Sequence, residues 1–145
     1  MNEEHYRKLE RMYLQANINT RFFDTTQARI SHEQAEISLM ISEKFFHALG
    51  AIHGSVYFKL LDDAAFFAVN SIVTDVFVLT SQFNIQLIRP ANSGTITAHG
   101  KVKFKSSSLF VAESSLVNEK GKEIAFGTGN FMRSKVNLSP EIGYL

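Results

Sequence analysis

Between Gly54 and about Ile72 the chain sets Val56, Leu60, Leu61, Ala64, Ala65, Phe67, Ala68 and Ile72 at helical spacing, a segment too long and too Ala-rich for a strand. Everything after it alternates instead. Phe77, Leu79, Ser81, Phe83, Ile85 and Leu87 alternate with Val78, Thr80, Gln82, Asn84, Gln86 and Ile88 as far as Arg89-Pro90, predicting a strand with one apolar face and one amide-bearing face. Thr95 to Lys105 and Ser108 to Asn118 alternate again, and Asn118 to Lys122 supplies a hairpin turn into Glu123 to Arg133. Four strands in succession with no returning helix cannot make parallel crossovers, so a consecutive antiparallel meander is expected. The class is α+β, one long central helix against one curved antiparallel sheet.

The flanks are read by the same rules. Asn2 is positioned to cap a first helix, with Glu3 and Glu4 in its first turn and Leu9, Met12, Tyr13 and Ala16 at helical spacing; the helix should occupy residues 1–18 and end near Asn17. Asn19 to Phe46 reads as a strand with a break, most clearly at Ala35, Ile37, Leu39 and Ile41. Residues 134–145 read as a frayed tail, and residues 1–145 as a single domain.

Composition mainly excludes. Fifteen basic and fourteen acidic side chains leave a net charge of +1, too little to gather nucleic acid or anionic membrane. Cysteine is absent, removing disulfides, thiolate nucleophiles and thiolate metal sites, and the His residues lack metal-ligand spacing, so no metal site is expected. The charged N-terminus lacks the apolar core of a signal peptide, which points to the cytoplasm. Gly127-Thr128-Gly129 lacks the rest of a dinucleotide fingerprint and reads as strand lying close to another backbone.

The chemistry concentrates in GAIHGSVYFKLLDDAAFF, Gly50 to Phe67. A helix beginning at Gly54 presents unpaired N–H groups at the positive end of its dipole, a place where a developing oxyanion would be stabilised and where Gly leaves room for it. His53 at the entry would orient water or substrate. Asp62 and Asp63 form an acidic doublet in an apolar helix; periodicity places at least one on a largely apolar surface but does not say which. Asp62 lies nine residues beyond His53, roughly 13 Å along the axis and half a turn around it, so one helix cannot bring the two together. Two copies packed antiparallel about a twofold axis can, which predicts a site built in trans.

With Gly50-Ala51-Ile52-His53-Gly54-Ser55 followed by Asp62, and with Thr80 to Ala91 reading TSQFNIQLIRPA, the chain resembles the hotdog-fold acyl-CoA thioesterases of the phenylacetate-degradation, or PaaI-like, type over roughly Ile37 to Met132. The resemblance implies a hotdog fold in a dimer or dimer of dimers. It also implies acyl-CoA hydrolysis without a metal or redox cofactor, coenzyme A entering as part of the substrate. By the same resemblance Asp62 is the general base or nucleophile, the Gly54 amide polarises the carbonyl across the interface, and Thr80 positions water. Ser55 stands where the family has a second Gly and His47 where it often has Asn; with Asp63 they are the candidate substrate contacts. His47 otherwise packs beside Phe45 and Phe46.

The alternative is a non-catalytic module that binds or senses acyl thioesters. A hotdog dehydratase fits less well, because Phe66 and Phe67 occupy the region where those enzymes carry their acid. Lys101, Lys103 and Lys105, with His99 in the same row and Arg89 nearby in sequence, read as a solvated strand face or as holders of coenzyme A phosphates.

Overall fold

Why the long helix is central becomes clear from what covers it. The computed structural model describes residues 2–145. In chain order it contains helices α1 (Glu3–Gln15) and α2 (Asn17–Phe22), strands β1 (Gln27–Ser31) and β2 (Gln34–Met40), helix α3 (Gly54–Asn70), and strands β3 (Val76–Leu87), β4 (Thr95–Lys105), β5 (Phe110–Val117) and β6 (Glu123–Asn137). One curved six-stranded sheet wraps α3, every neighbouring pair antiparallel, in the order β1-β2-β4-β5-β6-β3. This is the hotdog arrangement.

Leu60, Leu61, Ala64, Ala65, Ala68 and Val69 of α3 are fully buried against Ile37, Ile96, Ala98, Ala112, Leu116 and Ile124 of the sheet. The helix sits unusually deep at one point. A Cβ on Gly100 would lie 2.1 Å from the Ala64 carbonyl oxygen and 2.3 Å from its carbon, so only Gly on β4 lets the two backbones approach. Ser114 fixes the same region from β5 by donating its hydroxyl to the Leu61 carbonyl at 2.7 Å. The expected close approach at Gly127 is present too, since a Cβ there would stand 2.6 Å from the Asn84 carbonyl oxygen of β3.

Several expectations need correction. The strands after α3 are not one consecutive meander: β4, β5 and β6 are, but β3 pairs with β6, because the link from Ile88 to Gly94 carries the chain across to β2's side. Nor does β3 keep one apolar face. Its register against β6 slips between Thr80 and Gln82, and this bulge reverses the alternation, so Val78 and Thr80 turn inward before it while Phe83 and Ile85 turn inward after it. Leu79 and Leu87 are left 47% and 51% exposed.

At the N-terminus Asn2 makes no side-chain cap, the first helix ends at Gln15, and Asn19 to Phe22, where a strand was expected, belong to α2; Asn19 holds this corner by donating its amide to the Tyr13 carbonyl at 2.7 Å. The broken strand is a hairpin, β1 to β2, turning at Glu33 with φ of 58°. The tail is not frayed. Residues through Asn137 extend β6, and Tyr144 donates its hydroxyl to buried His5 of α1 at 2.7 Å. His5 in turn hydrogen-bonds the Asn70 carbonyl at the end of α3, at 2.8 Å.

The sheet's two edges are finished differently. On β1 the outward N–H of Ile30 donates to Glu10 and its carbonyl accepts from Arg7, each at 2.7 Å, so α1 seals that edge with an ion-paired couple. On the other side β3 has no strand beyond it among the described residues. No helix among the described residues is long and apolar enough to cross a membrane.

Candidate active site

At the start of α3 the first three N–H groups divide unequally. Val56 donates to the His53 carbonyl at 3.0 Å, and Ser55 donates to Nδ1 of His53, also at 3.0 Å. His53 is thus the helix N-cap, in extended backbone at φ −65° and ψ 147°. Among the described residues Gly54 N–H meets no protein acceptor. With Nδ1 accepting, the neutral His53 ring carries its proton on Nε2. Ser55 is exposed and turns its hydroxyl back to His53 at 2.9 Å.

Gly54 lines a cleft of roughly 390 Å³ together with His47, Ile52, Tyr57, Leu87 and the turn from Ile88 to Pro90. Tyr57 closes one side by donating to the Arg89 carbonyl at 2.7 Å. His47 lies in this cleft and does not pack against Phe45 and Phe46 as a core residue: it is exposed, and its Nδ1 accepts from Leu49 N–H at 3.1 Å. Arg89, which sequence reasoning noted only as a neighbour of the lysine row, also lines this cleft, and its guanidinium donates to the Glu123 carbonyl at 2.5 Å. The lysines point elsewhere. Lys101 and Lys103 are exposed on the outer face of β4, His99 pairs with Glu36 and Lys105 with Glu33, so the solvated-face reading describes them.

Asp62 lies elsewhere, in a larger cleft of roughly 900 Å³ that shares no lining residue with the first. Its walls are apolar, with Phe66 and Phe67 of α3, Phe77 and Leu79 of β3, and Val136 and Ile142 from the chain's end; Met12 to Asn19 form the remaining side. Thr80 donates its hydroxyl to Asp62 Oδ1 at 2.9 Å, an aim set by the bulge that follows it. Burial pushes the Asp62 carboxyl up to about 6; neighbouring Asp63 adds to the rise, while the Thr80 hydrogen bond and Lys59 oppose it. At neutral pH it is mainly ionised yet weakly solvated, the state a base or nucleophile needs.

The structure separates the doublet that periodicity left open. Asp63 Oδ2 accepts from Tyr13 at 2.6 Å and from Lys59 at 2.7 Å, so this carboxylate is held by protein groups although it borders the cleft. Lys59 stands four residues before Asp63, a spacing legible in the sequence. Tyr13 and Asn19, which complete the cluster from the N-terminal helices, were not foreseen, since nothing local marks a contact made across some forty residues or more.

The chain thus carries an unpaired helix-start amide and a partly buried free carboxylate in two separate clefts, and the comparisons with known proteins bear on that pattern. The thioesterase superfamily model matches residues 49–125, a span that holds Gly54, Asp62, Thr80 and Arg89. No curated protein matches the chain. Among solved structures it is similar to the E. coli PaaI protein from the phenylacetic acid degradation operon, with a TM-score of 0.85 and 20% identity over 95% of this chain and 99% of that one. It is also similar to a conserved protein of Pseudomonas aeruginosa, at TM-score 0.76 and 20% identity over 85% and 97% of the two chains. A mutant of a hypothetical thioesterase from Streptococcus pneumoniae gives TM-score 0.71 and 15% identity over 77% and 92%. At these identities the likenesses establish the fold.

Proposed function

The chain belongs to the thioesterase superfamily, and from that premise we propose that it hydrolyses acyl-CoA or related acyl thioesters at sites that two copies build together. The observation carrying this reading is the division of labour just described: Gly54 N–H and Asp62 lie in different clefts of one chain. Each is half of a site for acyl transfer. A twofold pairing along the open edge of β3 would extend the sheet and lay the two α3 helices side by side, bringing Gly54 of one copy toward Asp62 of the other. The bare β3 edge beside exposed Leu79 and Leu87, with exposed Phe58 on α3, supports that pairing.

In the joined site the thioester carbonyl rests on Gly54 N–H with the helix dipole behind it. Asp62 either takes a proton from water, which attacks the carbonyl carbon, or attacks that carbon itself to give an anhydride that water then opens. Negative charge collects on the carbonyl oxygen at Gly54 and is released as the C–S bond breaks and the thiolate of coenzyme A leaves. Thr80 orients Asp62, His53 fixes the helix start, and His47 and Arg89 line the approach, where Arg89 offers a guanidinium for the phosphates of coenzyme A.

The test is complementation. Asp62→Asn and Gly54→Pro each abolish thiol release from a panel of aliphatic, aromatic and short-chain acyl-CoAs; after mixed refolding, about a quarter of wild-type activity returns, because half the dimers are mixed and each holds one intact site of two. No recovery would place the site within one chain. Binding of acyl-CoA by the wild type without turnover would instead favour the sensing module.

A further inference from the structure

Beside Asp62 lies an ion pair that the proposed reaction does not use. Lys59 and Asp63 are i and i+4 on α3, and Lys59 Nζ donates to Asp63 Oδ2 at 2.7 Å, to Asn19 Oδ1 at 2.8 Å and to Tyr13 Oη at 3.3 Å. All three ammonium hydrogens are therefore committed. The ammonium also lies 4.7 Å from the ring centroid of Phe23 and 5.1 Å from that of Tyr13, and the two side chains of the pair are only 13% and 20% exposed. Burial, then the charge of Asp63, pushes the Tyr13 phenol well above its usual range, so its hydroxyl stays protonated and donates at 2.6 Å.

Such a pair is a poor adhesive. Both charges lose water, and apolar side chains of similar volume commonly join helices as well or better. Its position supplies another role. Lys59 precedes Asp62 by about one helical turn and Asp63 follows it directly, so a contacting pair of opposite charges is fixed in the same cleft as the Asp62 carboxylate. Resting on the reading of Asp62 as the reacting group, we propose that Lys59 and Asp63 are positioning residues: locked by Tyr13 and Asn19, they set the charge balance around Asp62 while pinning the corner of α1 and α2 as a wall of its cleft.

Among the described residues, the charged or titratable groups that line the cleft with Asp62 are Lys59 and Asp63 of α3, the neutral Tyr13 of α1 and Glu141 in the turn after β6, while the uncharged Thr80 of β3 bonds Asp62 directly. Asp63 disfavours the ionised form of Asp62 and Lys59 favours it, so the two act in opposite directions.

The experiment is a carboxyl-carbon NMR titration of Asp62 in the full-length wild type and in Lys59→Met, Asp63→Asn, the double variant and Lys59→Arg, with acyl-CoA hydrolysis measured against pH on the same samples. Lys59→Met should move the Asp62 midpoint up and Asp63→Asn down, each by about half a pH unit or more. The double variant should return between them, and Lys59→Arg should stay near the wild type. A role confined to holding the helices together would not produce shifts of opposite sign. Midpoints that stay put, or move the same way in both single variants, overturn the proposal. If Lys59→Met does not fold, the isosteric Asp63→Asn decides alone: a downward midpoint supports the proposal and an unmoved one overturns it. Opposite shifts in a protein that hydrolyses no acyl-CoA would reject the thioesterase reading and leave the electrostatic role of the pair intact.

Discussion

Replacing Asp62 by Asn should cost the protein its activity and make it more stable. Asn keeps the shape of the side chain and an Oδ1 that still accepts from Thr80 at 2.9 Å, so the change removes little besides the charge. The folded protein holds the Asp62 carboxyl at about 6 against an ordinary 3.8, chiefly because burial penalises its ionised form. That gap of about two pH units corresponds to about 3 kcal/mol at 1.36 kcal/mol each. The carboxylate keeps part of its solvent contact, and allowing for that screening leaves about 1–2 kcal/mol. Folding therefore binds a proton to Asp62, and the stability this contributes is complete below about pH 4 and lost as pH rises through about 6. Asp62→Asn escapes that loss. Urea unfolding of both proteins at matched concentration should give equal stabilities near pH 4 and an advantage for the variant that grows to a plateau above about pH 7, where its midpoint of thermal unfolding should stand roughly 3–8 °C higher. Thiol release by the variant should fall by about 100-fold or more. A stability difference that does not change between pH 4 and 7, or a variant less stable near pH 8, would refute the claim that Asp62 is a carboxylate held against its own ionisation.

Gly54→Pro removes the proposed oxyanion donor with little other change, because Pro is accepted at the first helical position and His53 before it already has the extended backbone that Pro requires. Leu87, whose Cδ1 would stand 3.2 Å from the new Cβ, must yield slightly. Turnover should drop by about 100- to 1000-fold with the far-ultraviolet circular dichroism unchanged, and an active Gly54→Pro would remove this amide from the mechanism. Gly100→Ala should destabilise the fold by about 1–3 kcal/mol or more in denaturant titration, since its methyl group meets the backbone of Ala64 and not a movable side chain. Burial lowers the pKa of His5, so the stability it contributes is present above about pH 6.5 and lost as the pH falls and the ring takes a second proton. Amide protection at Ile142, Gly143 and Tyr144, corrected for intrinsic rates, should weaken over that interval, and unchanged protection would deny His5 its part in docking the C-terminal turn.

The sequence by itself determined the elements whose signals are local. The period of Val56, Leu60, Leu61 and Ala64 makes a helix wherever it is placed, and the alternation of Thr95 to Lys105 makes a strand, because side-chain direction repeats with the backbone. The helix-start Gly, the acidic doublet and the separation of His53 from Asp62 were legible for the same reason: spacing along a helix is geometry that needs no partner. Lys59 four residues before Asp63 belonged to the same class of signal. What could not be read were matters of pairing. That β3 lies beside β6, and not beside β4, follows from closing a sheet around α3 and leaves no mark within β3 itself. The bulge after Thr80 reverses which face of β3 looks inward, and it is a property of two strands in register. Likewise the sequence placed two acids side by side with equal claims, and only the tertiary structure divided them. Tyr13 and Asn19, brought by the fold to one side of α3, help Lys59 hold Asp63, while among the described residues only Thr80 hydrogen-bonds Asp62, leaving it a partly desolvated, largely unpaired carboxylate. Local periodicity fixes where a side chain stands on its own element; its charge and its freedom to react depend on what the rest of the chain sets around it.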